Sequence, residues 1–112
     1  MNIVTKTAII VDIDGTVALR IARSPFQWHK VGNDQVHHAV QYLLANLHPK
    51  ILRIFVSGRD EVCRKETEDW LKENKIHYDF LYMRVKNDNR KDSIIKEEIY
   101  MTHIKGNYNV IF

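Results

Sequence analysis

The stretch "IIVDIDGTVALR", residues 9–20, decides the fold of this chain. Ile9, Ile10 and Val11 form a short continuous apolar run, the pattern of a strand covered on both faces. The run ends in Asp12 and Asp14, one residue apart, followed at once by Gly15 and Thr16. Side chains two apart on extended backbone point to the same side, so the two carboxylates face one site. Gly15 lets the chain turn sharply beside them, and Thr16 brings a hydroxyl able to orient a neighbouring carboxylate.

Outward from that strand, the chain alternates two hydrophobic periods. Residues 17–32 lack a regular period, contain Pro25 and Gly32, and read as a loop. Asn33 or Asp34 caps the next element, a helix in which Val36, Ala39, Val40, Leu43, Leu44 and Leu47 recur at i, i+3, i+4 spacing. His48-Pro49 ends it. "ILRIFV", 51–56, reads as a second strand, "SGRD" as a turn, and 60–75 as a helix burying Cys63, Thr67, Trp70 and Leu71. "YDFLYM", 78–83, is a third strand. A helix opens at Asp92 or Ser93, runs to about His103 and buries Ile95 and Ile99. Gly106 stops it, and "YNVIF", 108–112, is a fourth strand. This order predicts an α/β fold: a Rossmann-like parallel sheet with helices on both faces, joined by right-handed crossovers.

The 112 residues suit one domain, 1–112. A hydrophobic content of 45% and a charged content of 28% are those of a globular protein, which excludes the disordered and fibrous classes. No apolar run approaches a membrane span, and no leader pattern precedes the first strand, so a cytoplasmic location is expected. Cys63 is the single cysteine, which excludes a disulfide within the chain and a cysteine-based zinc site. The net charge of +3 fits a polyanionic ligand without specifying one.

In open α/β sheets ligands bind beyond the carboxyl ends of the strands, where Asp12 and Asp14 sit. One aspartate there can attack phosphorus as a nucleophile, and the other can protonate the leaving alkoxide and then activate water. Mg²⁺ fits between carboxylate, backbone carbonyl and phosphate oxygens. A plain polar turn would use the same residue types. A second stretch, "FVSGR", 55–59, shifts the balance, because it also ends a strand. Ser57 can bond a phosphate oxygen, Gly58 allows close backbone approach, Arg59 offers a fork of donors, and open N–H groups at the helix start favour an anion.

"VDIDGT" and "VSGR" resemble the first and second motifs of the haloacid dehalogenase (HAD) superfamily of phosphatases. "RSPF", 23–26, and "DNRKDSIIKEEIYMTHI", 88–104, resemble the 3′-phosphatase domain of the bacteriophage polynucleotide kinase–phosphatase branch, and the similarity runs from about Lys6 to Phe112. The resemblance implies Asp12 as nucleophile, Asp14 as general acid and base, and a Mg²⁺ held by Asp12 and the Asp14 carbonyl. Ser57 and Gly58 would hold the phosphate, and Arg23 and Arg59 would line the substrate side. Lys91 matches the lysine that neutralises phosphoryl charge, with Lys86 and Lys96 competing for that role.

The family's fourth motif, an acidic pair after the fourth strand, is absent before Phe112. Its absence is expected to weaken Mg²⁺ binding and to leave "YNVIF" an apolar edge that invites pairing with another chain. Residues 17–32 are too few for a large cap domain, so an open site suited to a polymer end is expected. Two readings follow. One is a Mg²⁺-dependent phosphomonoesterase acting on 3′-phosphorylated DNA or RNA ends, or on nucleotides. The other is a catalytically impaired remnant that binds nucleic acid or a partner subunit. Phe26 and Trp28, in the loop over the site, are read either as stacking surfaces for a base or as cover for the core.

Overall fold

The structure, a computed structural model, describes residues 6–20, 24 and 27–112. Its main sheet has four strands: β1 (Thr7–Val11), β4 (Leu52–Asp60), β5 (Phe80–Arg84) and β6 (Asn109–Val110). They stand in the order β5-β4-β1-β6, and every pair is parallel. Two short strands, β2 (Ala18–Leu19) and β3 (Gln35–Val36), form a separate antiparallel ribbon. The helices are α1 (His38–Ala45), α2 (Arg64–Glu73) and α3 (Asp92–Ile99).

The pleat explains why β1 is apolar throughout. Ile9 and Val11, with Phe55 of β4, pack towards α1 and α2 in a core holding Leu44, Cys63, Trp70 and Leu71. Ala8, with Ile54 and Val56, packs on the opposite face against Ile104 and Ile99, on and just beyond α3. Alternate residues of one strand thus serve two cores, so both sets must be hydrophobic. The expected parallel sheet with helices on both faces is the observed architecture. Truncating a residue such as Phe55, fully buried here, costs about 3–5 kcal/mol.

Several local expectations differ. "SGRD" is not a turn, because β4 continues through Asp60, which pairs with Arg84 after a register shift beyond Val56. The extra length is tied down by side chains: the Arg59 amide donates to Ser57 Oγ at 3.1 Å, and Arg84 Nε donates to the Gly58 carbonyl at 2.9 Å. The next helical turn therefore starts after Asp60 and not directly at the Ser-Gly pair. Asp60 caps the 3-10 turn Glu61–Cys63, its Oδ1 accepting from the Val62 amide at 2.8 Å.

Residues 17–32 also hold more order than a loop. They include β2 and most of a 3-10 helix, Trp28–Asn33. Neither Asn33 nor Asp34 caps α1, whose N-cap is His37; the Asp34 carboxylate is engaged elsewhere. Leu43, expected in the core, is 66% exposed, and Leu44 is the buried residue of α1. Beyond α3 the chain widens into a π turn, Tyr100–Ile104, closed by the Lys105 amide donating to the Tyr100 carbonyl, before Gly106. β6 forms the edge of the sheet, and its pairing extends past Val110, since Ile10 N donates to the Phe112 carbonyl at 2.9 Å.

Candidate active site

The carboxyl ends of β1, β4 and β5 open into a cavity of about 660 Å³. Asp12 and Asp14 enter it from the end of β1, Gly58 and Asp60 from β4, and Arg84 from β5. Gly15 has φ +81°, a left-handed conformation that side chains resist, and it turns the chain away directly after Asp14. The Ile13 amide donates to Asp12 Oδ1 at 2.9 Å, which orients that carboxylate.

Arg59 is the buried centre of the site. Its side chain has no exposed surface. Nε and Nη2 fork onto Asp14, with Nη2 2.9 Å from Oδ1 and Nε 3.1 Å from Oδ2. Nη2 also donates to Asp34 Oδ2 at 2.8 Å, and Nη1 to Thr67 Oγ1 at 3.1 Å. Arg59 therefore holds the second aspartate from beneath, and it is not among the cavity-lining residues, whereas the resemblance implied a place on the substrate side. Asp34, with 2% of its side chain exposed, supplies the compensating buried charge, and its carbonyl accepts from Trp70 Nε1 at 2.8 Å. Asp14, Asp34 and Thr67, distant in sequence, thus converge on the Arg59 guanidinium.

The lysine beside the first aspartate is Lys96. Its Nζ lies 3.1 Å from Asp12 Oδ1 and 3.0 Å from Asp92 Oδ2. Burial opposes its charge, but the hydrogen bonds to Asp92 and Asp12 prevail and hold the ammonium above its ordinary pKa. Lys91, at the N-cap of α3, lines the cavity but is exposed at its rim. The reason is helical geometry. Asp92 and Lys96 are four apart and share a face of α3, turned towards Asp12, whereas Lys91 precedes the first turn. That i, i+4 pair was the available signal for Lys96.

Gly58 lets the Asp92 carboxylate lie close against β4. A Cβ at this position would lie 1.7 Å from Asp92 Oδ1. Arg84, which the sequence reading passed over, binds the loop before α3 by donating from Nη1 to the carbonyls of Asp88, at 2.8 Å, and Arg90. Its place at the carboxyl end of the third main strand is the same clue that marked Asp12. Arg90 in turn holds the Asp88 carboxyl down at about 2 through hydrogen bonds from its side chain and backbone. Ser57 is fully buried, and neither it nor Thr16 is among the cavity-lining residues. Arg23 and Phe26 lie outside the described residues.

For a divalent cation, the described residues offer the Asp12 carboxylate, to which the resemblance adds the Asp14 carbonyl. Among them no group of three or more His, Cys, Asp or Glu could hold a metal ion. Mg²⁺ is commonly bound through one or two carboxylates with substrate phosphate and water, so this pair fits such an ion only when substrate completes the shell.

A parallel sheet ordered in this way, with an Asp-x-Asp-Gly-Thr strand end braced by an arginine and a lysine, defines a HAD-type phosphatase domain. The model of the polynucleotide kinase PNKP phosphatase domain matches residues 6–112, and the chain belongs to that family. It is 36% identical over 113 residues to the "Putative bifunctional polynucleotide kinase/RNA ligase" of Autographa californica nuclear polyhedrosis virus, covering 93% of this chain and 16% of that protein. Among solved structures it is similar to a chain of the Pnkp1/Rnl/Hen1 complex, with TM-score 0.93, 37% identity and coverage of 96% of this chain and 38% of that one. A chain of the Pnkp1/Rnl/Hen1 RNA repair complex matches with TM-score 0.89 and 37% identity, over 96% of this chain and 35% of that one. The chain thus spans about a sixth of the viral protein and just over a third of the structural relatives. Among the described residues, no helix is long and apolar enough to cross a membrane.

Proposed function

We propose that this domain removes the terminal phosphate from nucleic-acid 3′ ends through an aspartyl-phosphate. The observation that carries the reading is the ion pair of Lys96 with Asp12 Oδ1 inside the strand-end cavity, where a phosphoryl group would bring its own negative charge. Membership of a polynucleotide kinase phosphatase family supports a nucleic-acid end as substrate.

Oδ1 of Asp12 is held by Lys96 and the Ile13 amide, which leaves Oδ2 to attack phosphorus. The P–O ester bond breaks as the Asp12–phosphorus bond forms, and the departing sugar oxygen takes the proton carried by Asp14. The Asp14 carboxylate then takes a proton from water. That oxygen attacks phosphorus, Asp12 leaves, and inorganic phosphate is released. Arg59 keeps Asp14 oriented through both steps, and Lys96 offsets charge on the phosphoryl oxygens. Asp12 and the Asp14 carbonyl would hold Mg²⁺, which supplies further neutralisation of the phosphate charge when bound.

The test is phosphate release from a 3′-phosphorylated oligonucleotide with and without Mg²⁺, beside Asp12→Asn. Metal-dependent release in the parent that is lost in the variant is expected. Equal release by both would remove Asp12 from the mechanism, and no release by folded parent would leave a binding domain.

A further inference from the structure

The cavity is far larger than a phosphate needs, and about 660 Å³ lies within the size range of sites for whole organic ligands. Its strand-end and α3 residues are charged, but the segment between β1 and α1 contributes an aromatic ring, Trp28, together with Arg20. Trp28 is partly exposed, and its buried portion packs against the main core. Trp28 is therefore backed by the core and also borders the cavity. We infer that Trp28 is the seat for the base of the nucleotide that carries the phosphate, so that the site selects an end bearing a base.

This inference rests on the proposed phosphatase reading and adds a specificity-determining residue to it. The support beneath Trp28 argues for a preset platform. Trp28 opens the 3-10 helix Trp28–Asn33, which ends where the Asp34 amide donates to the Val31 carbonyl at 3.1 Å, and Val31 is fully buried. Asp34 is tied to Arg59 at 2.8 Å and to Trp70 at 2.8 Å, and Arg59 grips Asp14. The aromatic wall and the general acid are thus joined through one buried arginine, and their relative placement is set before substrate arrives. Binding to such a rigid surface loses little side-chain entropy, and a π-face accepts any base, as suits an enzyme acting on ends of varied sequence. Arg20, Arg84 and Lys96 around the same cavity add the positive field that a nucleotide phosphate requires.

The experiment measures binding of two labelled 3′-phosphorylated oligonucleotides to full-length Asp12→Asn protein by fluorescence anisotropy. One carries a normal terminal nucleotide, and the other an abasic terminal sugar with the same phosphate. The base-bearing end is expected to bind about fivefold to a hundredfold more tightly, the range for one base stacked on an aromatic ring. Adding Trp28→Leu, which keeps an apolar cover over the core but has no aromatic face, should bring that ratio towards one. Adding Trp28→Phe instead should restore most of it. A ratio near one in the Asp12→Asn parent, or one that Trp28→Leu leaves intact, overturns the inference while the phosphatase reading stands. Failure of the parent to bind either end overturns both.

Discussion

Replacing Arg59 with methionine tests the central physical claim about this site. The substitution keeps an unbranched apolar stem and deletes the guanidinium. In the folded protein that group has no exposed surface and satisfies Asp14, Asp34 and Thr67 together. Asp14 is one-third exposed, so water screens part of its loss. Asp34 has 2% of its side chain exposed and would remain a buried carboxylate that has lost the Arg59 guanidinium. Breaking such a pair from one side costs about 3–5 kcal/mol. Domains of this size are stable by about 5–15 kcal/mol, so the variant would keep only part of its margin. At a urea slope of about 2 kcal/mol per molar, the midpoint should fall by about 2 M with the slope unchanged. Urea unfolding followed by tryptophan fluorescence reads this directly. The double variant Arg59→Met/Asp34→Asn, which no longer buries the Asp34 carboxylate, should recover about half the loss. A midpoint within about 0.3 M of the parent for Arg59→Met alone would refute the buried network and return Arg59 to the substrate surface.

Lys96→Ala should lower phosphate release at least a hundredfold while Lys91→Ala stays within about threefold, measured as kcat/KM on the same oligonucleotide. Gly58→Ala forces the Asp92 side chain off its position; since Asp92 is half exposed and can swing away, melting should show a loss of about 1–2 kcal/mol, with a more than tenfold fall in turnover. Cys63 is buried, and that burial raises its thiol above the ordinary 9.0, despite a hydrogen bond with Thr67 and the nearby Arg59. A group protonated more readily in the folded state stabilises it below its unfolded pKa and ceases to do so as pH rises past the folded value, so stability should decline above about pH 9. At pH 8 a thiol reagent should modify Cys63 only after denaturant is added, and rapid modification of the native protein would contradict its burial.

Much of the fold was legible because each element carried its own period. The apolar run Ile9–Val11 could be read as a doubly covered strand without knowing what covered it, since both faces of a central parallel strand need the same residue types. Cys63, Thr67, Trp70 and Leu71 fell on one helical face and are all buried. The paired aspartates were legible for a related reason: spacing of two on an extended strand end fixes their direction locally. The run "SGRD" was misread because glycine and serine signal a turn by local propensity, whereas here the neighbouring strand β5 offers Arg84 as a partner and keeps the backbone extended.

What the sequence by itself determined is therefore the order of the four main-sheet strands and the three α-helices, and the place where two carboxylates emerge. The tertiary structure decided which charges meet them. Arg59 lies 45 residues from Asp14 and 25 from Asp34, and no periodicity relates positions so far apart. Arginine beside a Ser-Gly pair has the same local signature whether it reaches out to a phosphate or inward to a carboxylate. Its direction is set by the buried Asp34 and Thr67, which exist as partners only once the ribbon strand β3 and helix α2 have packed over the sheet. The choice of Lys96 over Lys91 is intermediate: the i, i+4 pair with Asp92 is written in the helix, but Asp12 joins it only where α3 comes to lie over the end of β1.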